Sequence, residues 1–207
     1  IGLDTKEGVR LVRGSHIITR KLYDHDKCYF FQGQDGRIIF TIPYETDFTL
    51  IGTTDVDHQD LAEKPVCQSE EQDYLLQFAS TYLKAPVTAE DVVATYSGVR
   101  PLYNDAASSA TAATRDYVLK LDETAGAPML NIFGGKITTY RKLAEQALQQ
   151  ISEHIPRMGR AWTAGVALPG GDFPVDGVDE TIHQLTTRFP FLTARWRRPW
   201  ILPPSPS

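Results

Sequence analysis

The sequence predicts an α+β fold, with an antiparallel sheet of about six strands and helices to one side. Three observations predict it. Residues 8–55 repeat the period of two expected of half-buried strands. Short turn signals join those strands, as in a meander rather than a helix-linked parallel sheet. From Ser69 the period changes to that of a helix.

The elements follow in order. Gly8–Arg13 alternates as a strand, and Ser15–Thr19 forms another after Gly14. Lys27–Gly33 and Arg37–Pro43 flank Gln34-Asp-Gly36, a hairpin turn. Phe48–Asp55 is the next strand, with a polar end at Gly52-Thr-Thr-Asp55 where Asp55 is expected to close a turn on backbone N–H groups. Ser69-Glu-Glu-Gln opens a helix with acidic residues in its first turn, and Tyr74, Leu75, Phe78, Tyr82 and Leu83 recur at helical spacing. Asp91–Arg100 reads as extended, held out of the helical region by Pro101. Asn104–Thr114 is small and polar, a loop. Asp116–Leu121 and Pro128–Phe133 are strands joined by a turn around Thr124-Ala-Gly126. A helix from Lys136 to Ile155 and a shorter one from Val178 to Phe189 complete the reading.

Composition narrows the function. Hydrophobic residues make up 42% of the chain, enough for a core. The net charge of −5, with no basic face to offset it, excludes general nucleic-acid binding. Cys28 and Cys67 lack metal-ligand spacing and suit a reducing compartment. No apolar run reaches transmembrane length and no signal-peptide pattern opens the chain, so the expected location is cytoplasmic. The start at Ile1 and the proline-rich end from Arg195 predict a piece of a longer protein. Trp196, Arg197, Arg198 and Trp200 in that end are of the kind that sits at a membrane surface.

The strongest chemical signal is Asn131-Ile-Phe-Gly-Gly-Lys-Ile-Thr-Thr-Tyr-Arg-Lys-Leu-Ala144. A strand end meets Gly134 and Gly135, then Lys136, then the Thr138 and Thr139 hydroxyls at a helix start. Glycines allow a sharp turn and close approach, and a helix start offers N–H groups to an anion. The spacing is neither GxxxxGK[ST] nor GxGxxG. Arg100, between Val99 and Pro101, either presents its fork to an oxyanion or pairs with a surface carboxylate. Arg115 either neighbours Asp116 without a ligand or joins Arg100 and Lys136 in holding a dianion such as a phosphate monoester. His16, at the entry of an apolar strand, is the acid–base candidate among five histidines.

Five strings occur here in the order found in FAD-dependent glycerol-3-phosphate dehydrogenases of the aerobic, respiratory kind: Arg13-Gly-Ser-His16, Ile51-Gly-Thr-Thr-Asp55, Tyr96-Ser-Gly-Val-Arg-Pro-Leu102, Thr114-Arg-Asp-Tyr117 and Phe133–Ala144. The chain resembles the bacterial type over about residues 8–193. The resemblance implies a D-amino-acid-oxidase-like flavoenzyme fold. Residues 1–127 would be the substrate domain, 128–157 the last strand and helix of the FAD domain, and 158–207 the start of a helical region with an atypical tail. It implies FAD bordered by Gly134, Gly135, Lys136, Ile137, Thr138 and Thr139. Arg100, Arg115 and Lys136 would line the glycerol 3-phosphate pocket, with His16 as base and Arg100 orienting the substrate. Electrons would pass to a quinone, with peripheral attachment to the inner face of the membrane. The GxGxxG segment that holds the FAD pyrophosphate in the family is absent here. A phosphate-binding module or an inactive remnant without flavin is therefore the alternative. Apolar edges left by a missing partner segment predict self-association, as a homodimer.

Overall fold

A computed structural model describes residues 7–106, 108–124 and 126–192. By internal contacts the chain divides into a unit of residues 1–158 and a unit of residues 159–207. In the first, six antiparallel strands form one sheet: β1 (Val9–Arg20), β2 (Tyr29–Gln32), β3 (Ile38–Tyr44), β4 (Phe48–Gly52), β5 (Val56–Asp57) and β6 (Val92–Tyr103). Strand β1 is central. It pairs with β6 along one side and with β4 and then β5 along the other.

Two expectations change here. The Gly8–Arg13 and Ser15–Thr19 segments are one strand, because pairing with β6 carries β1 through Gly14. Strand β6 runs past Pro101 to Tyr103, because β6 is an edge of the sheet, where a residue without an N–H is tolerated.

The two faces of β1 differ as period two requires. One carries Arg13, Ser15, Ile17 and Thr19 under helix α1 (Ser69–Tyr82). Ile17, Ile39, Ile51, Leu75, Leu76, Ala79 and Val87 form the main core there. The other face carries Val12, Gly14, His16 and Ile18. At its Val12 end, Leu102, Ala110 and Ala113 close a second, small core. The polar-looking 104–114 loop thus buries two alanines and is part of the packing.

Between sheet and helix lies a buried charge. Glu71 is 6% exposed. Its carboxylate accepts Arg13 Nη2 at 2.9 Å, Ser15 Oγ at 2.8 Å, Thr54 Oγ1 at 2.6 Å and the Gln68 N–H at 3.1 Å. Burial pushes the carboxyl pKa up, but the bonds from Thr54, Gln68 and Ser15 and the Arg13 charge together hold it below its ordinary value.

A separate hairpin pairs β7 (Val118–Asp122) with β8 (Met129–Phe133). Then come a 3-10 turn at Ile137–Thr139 and helix α2 (Tyr140–Gln150), which packs on β8. The expected 136–155 helix therefore ends early, and Ser152–His154 forms another 3-10 turn. In the second unit, helix α3 (Val178–Arg188) has Asp179 and Glu180 in its first turn and Arg188 in its last, complementing its dipole.

Replacing Glu71 by Ala strands the Arg13 guanidinium in a buried site. We expect a loss of about 3 kcal/mol, read as a lower urea midpoint at unchanged slope. Because the folded pKa lies below the unfolded one, the stabilisation is complete above about pH 4.5 and is lost as pH falls through the folded value. A wild-type midpoint in E71A contradicts this account.

Candidate functional site

Three residues, Thr53, Thr54 and Asp55, stand opposite two of β1, between the His16–Gly52 and Arg13–Val56 pairs. Such a bulge re-aims side chains. Thr54 points back: its N–H donates to the Ser15 carbonyl, and its hydroxyl accepts the Ser15 N–H and donates to Glu71. Thr53 and Asp55 make their contacts with the arginines instead. Asp55 Oδ1 accepts Arg100 Nη1 at 3.2 Å and Oδ2 accepts Arg115 Nη2 at 2.8 Å. Thr53 Oγ1 accepts Arg100 Nη2 at 3.1 Å. The expectation that Asp55 closes a turn on backbone N–H groups gives way to a carboxylate shared by two arginines.

The glycines make room for these contacts. The Arg100 fork lies over Gly14, where a Cβ would meet Nη1 and Nη2 at 2.4 Å. Two residues along β1, roughly 6.6 Å away on the same face, the His16 ring covers Gly52 and stacks on Tyr96 at 4.8 Å. Gly98 faces Gly14 across the strands, and a Cβ there would meet nothing. A bare patch of sheet therefore separates the two rings from Arg100. Burial pulls the His16 pKa down to about 4, and the Arg100 charge adds to the fall. His16 Nδ1 is buried with no hydrogen-bond partner.

Arg115 is also tied to the Thr111 and Ala113 carbonyls, at 3.0 and 2.8 Å. Lys136 makes a loose surface pair with Asp116 at 3.6 Å. Arg100, Arg115, Gly135 and Lys136 line one cavity of about 410 Å³ with Val99, Pro101 and Leu102. The three cations singled out in the sequence are thus brought together, while His16 is not among the residues lining that cavity. Gly134 and Gly135 both have positive φ, 69° and 116°, as the expected sharp turn requires. Gly134 lies against the β6 edge, where a Cβ would sit 3.6 Å from the Pro101 carbonyl. The Thr139 hydroxyl donates to the Lys136 carbonyl. Gly135, Lys136, Ile137 and Thr138 are exposed, Ile137 at 77%.

The model of the FAD-dependent oxidoreductase family known as DAO matches residues 2–141. The chain belongs to that family. It is 44% identical to a glycerol-3-phosphate dehydrogenase of Pseudomonas aeruginosa, over 92% of this chain and 38% of that one. It is 43% identical to the aerobic glycerol-3-phosphate dehydrogenase of Escherichia coli, with the same coverage. It is also 43% identical to a D-erythritol 1-phosphate dehydrogenase of Brucella abortus, over 91% of this chain and 38% of that one. Among solved structures, the glycerol-3-phosphate dehydrogenase of Bacillus halodurans complexed with FAD matches with a TM-score of 0.67 at 25% identity. That match covers 88% of this chain and 36% of the other. The chain spans little more than a third of the length of these relatives.

The family's cofactor suits what the residues offer. A glycine turn, an apolar side chain standing in solvent, a bare patch of sheet and an unpartnered buried nitrogen fit a flat ring bearing polar edges. Among the described residues no cluster of His, Cys, Asp or Glu is set to hold a metal. The partners of Asp55 were missed, and the run of three consecutive polar residues Thr53-Thr54-Asp55 after a buried strand was the available signal.

Gly14→Ala tests the close approach. Only the far end of the Arg100 side chain has to move, so the fold should lose about 1 kcal/mol or less. The displaced fork should lose its bonds to Asp55 and Thr53, which a crystal structure of the variant would show. A fork still bonded to both would mean that Gly14 does not make room for it.

Proposed function

We propose that this chain supplies the substrate site and one border of the flavin site of an FAD-dependent dehydrogenase of polyol phosphates. It oxidises sn-glycerol 3-phosphate to dihydroxyacetone phosphate. The observation that carries the proposal is the convergence of Arg100, Arg115 and Lys136 on one cavity beside the Gly134-Gly135 turn. Three cations suit a phosphate dianion, and arginine forks suit its oxygens. Gly134, Gly135, Lys136, Ile137, Thr138 and Thr139 border the flavin, and the start of α2 favours negative charge beside it. The chemistry that FAD supplies when bound is acceptance of the hydride from C2.

The remaining tasks fall to this chain. Arg115 and Lys136 hold the phosphate. Arg100 orients the substrate and stabilises developing negative charge at the C2 oxygen. His16 takes the hydroxyl proton, which an arginine does not do. Held neutral down to about pH 4, its ring is ready to accept that proton at neutral pH. Onward transfer to a quinone, a peripheral seat on the inner face of the membrane and a homodimer extend the same reading. The resemblance supports the first two, and exposed apolar side chains such as Phe30 and Phe40 support the third. Among the described residues no helix is long and apolar enough to cross a membrane; the basic and aromatic end from Arg195 lies outside them.

A second reading has an observation of its own. The equal identity to a D-erythritol 1-phosphate dehydrogenase favours a four-carbon polyol phosphate, which shares the same phosphate and oxidised-hydroxyl chemistry. Comparing kcat/KM for the two esters in the flavin-loaded protein separates the readings, the higher value naming the substrate.

His16→Ala should lower kcat by roughly 100-fold or more. In the wild type the acid limb of kcat/KM should lie near 4, well below the ordinary histidine value. The limb of kcat should lie higher, because the bound dianion favours the imidazolium. Full turnover by H16A across pH would remove His16 as the base. Arg115→Ala should raise KM roughly 10- to 100-fold through the loss of charge-assisted bonds. A KM unchanged from wild type would take Arg115 out of the phosphate site.

A further inference from the structure

We propose that Asp55 is a positioning residue for the reaction. It fixes the direction of the Arg100 and Arg115 forks before substrate arrives and sets how much positive charge the cavity presents. This rests on the reading of the cavity as a phosphate-ester site.

The geometry is that of a bracket. Each carboxylate oxygen of Asp55 takes a different arginine, Oδ1 from Arg100 and Oδ2 from Arg115. The carboxylate has little freedom of its own. It is 17% exposed, and Thr54, the residue before it, is fixed to Ser15 and Glu71. Two guanidinium groups this close repel each other unless an anion lies between them. Asp55 is that anion while the cavity awaits its ligand, so the forks need no rearrangement when a phosphate ester arrives.

The two arginines are left in different states. Both Nη1 hydrogens of Arg115 go to the Thr111 and Ala113 carbonyls and an Nη2 hydrogen goes to Asp55. Arg100 gives one donor to Asp55 and one to Thr53 and keeps the rest of its five. Asp55 and Thr53 therefore aim a donor-rich Arg100 fork over Gly14. Asp55 alone also ties the 111–115 segment to the sheet through Arg115. The carboxylate offsets one positive charge, so it orients the cations at some expense in pull on the phosphate.

That opposition gives the test. Asp55→Asn keeps the shape, removes the negative charge and turns an N–H toward one arginine. In the flavin-loaded protein we expect kcat with glycerol 3-phosphate to fall about tenfold or more, because Arg100 is no longer aimed. Calorimetric titration with inorganic phosphate should give a dissociation constant within about threefold of wild type, or tighter, because the cavity gains net positive charge. A variant that had merely loosened the fold would lose phosphate binding and turnover together. Thr53→Val takes away the other Arg100 anchor without altering charge. It should show the same split to a smaller degree, and it decides the matter if D55N does not fold. Unchanged kcat, or phosphate affinity falling in step with kcat, overturns the role of Asp55 and leaves the site reading standing. A wild type that neither binds phosphate nor reduces its flavin with the ester overturns the site reading, and this role with it.

Discussion

The bulge at Thr53-Thr54-Asp55 is held from both faces of the sheet, and the site depends on that double hold. Behind it the buried Glu71 carboxylate takes the Thr54 hydroxyl, together with Ser15 and Arg13. On the other side Asp55 takes Arg100 and Arg115. Helix α1, the central strand and the cavity are thus joined through three consecutive residues. A buried carboxylate of this kind is weak evidence for stability as such, since desolvation offsets much of its attraction. Its value here is directional: with four donors on Glu71, the bulge has one orientation, and Asp55 has one place to point.

The parts of the fold that were legible in the sequence are those written in adjacent residues. The Gln34-Asp-Gly36 hairpin joins β2 and β3, with Gly36 at φ 77°. The Gly134-Gly135 turn takes the positive φ values that its composition predicts. The period of helix α1 put Leu75 in the core. What stayed hidden was set by distant partners. Gly14 reads as a break until β6 is known to pair with β1 along its whole length. The alanines of the 104–114 loop read as solvent-facing until Val12 and Leu102 are beneath them.

The candidate site divides the same way. Residue type and backbone constraint marked Arg100, Arg115 and Lys136, and all three line one cavity. Their counter-charges were not legible, because Asp55 stands 45 residues from Arg100 and the nearest acid to Arg115 in sequence is Asp116. Asp116 turns instead to Lys136. The role of Glu71 was equally hidden: a glutamate in a first helical turn looks like a dipole contact, whereas here it is also the buried acceptor for Ser15, 56 residues away.

The central claim is that the cavity recognises a phosphate ester and presents its hydroxyl for oxidation. The most direct measurement is anaerobic reduction of the flavin-loaded protein, followed by bleaching of the visible flavin absorbance, with glycerol 3-phosphate compared against glycerol. Two charge-assisted contacts to the phosphate predict that the ester half-reduces the flavin at a concentration roughly 100-fold lower or more. Equal potency of the two compounds, or no bleaching by the ester, would contradict the account.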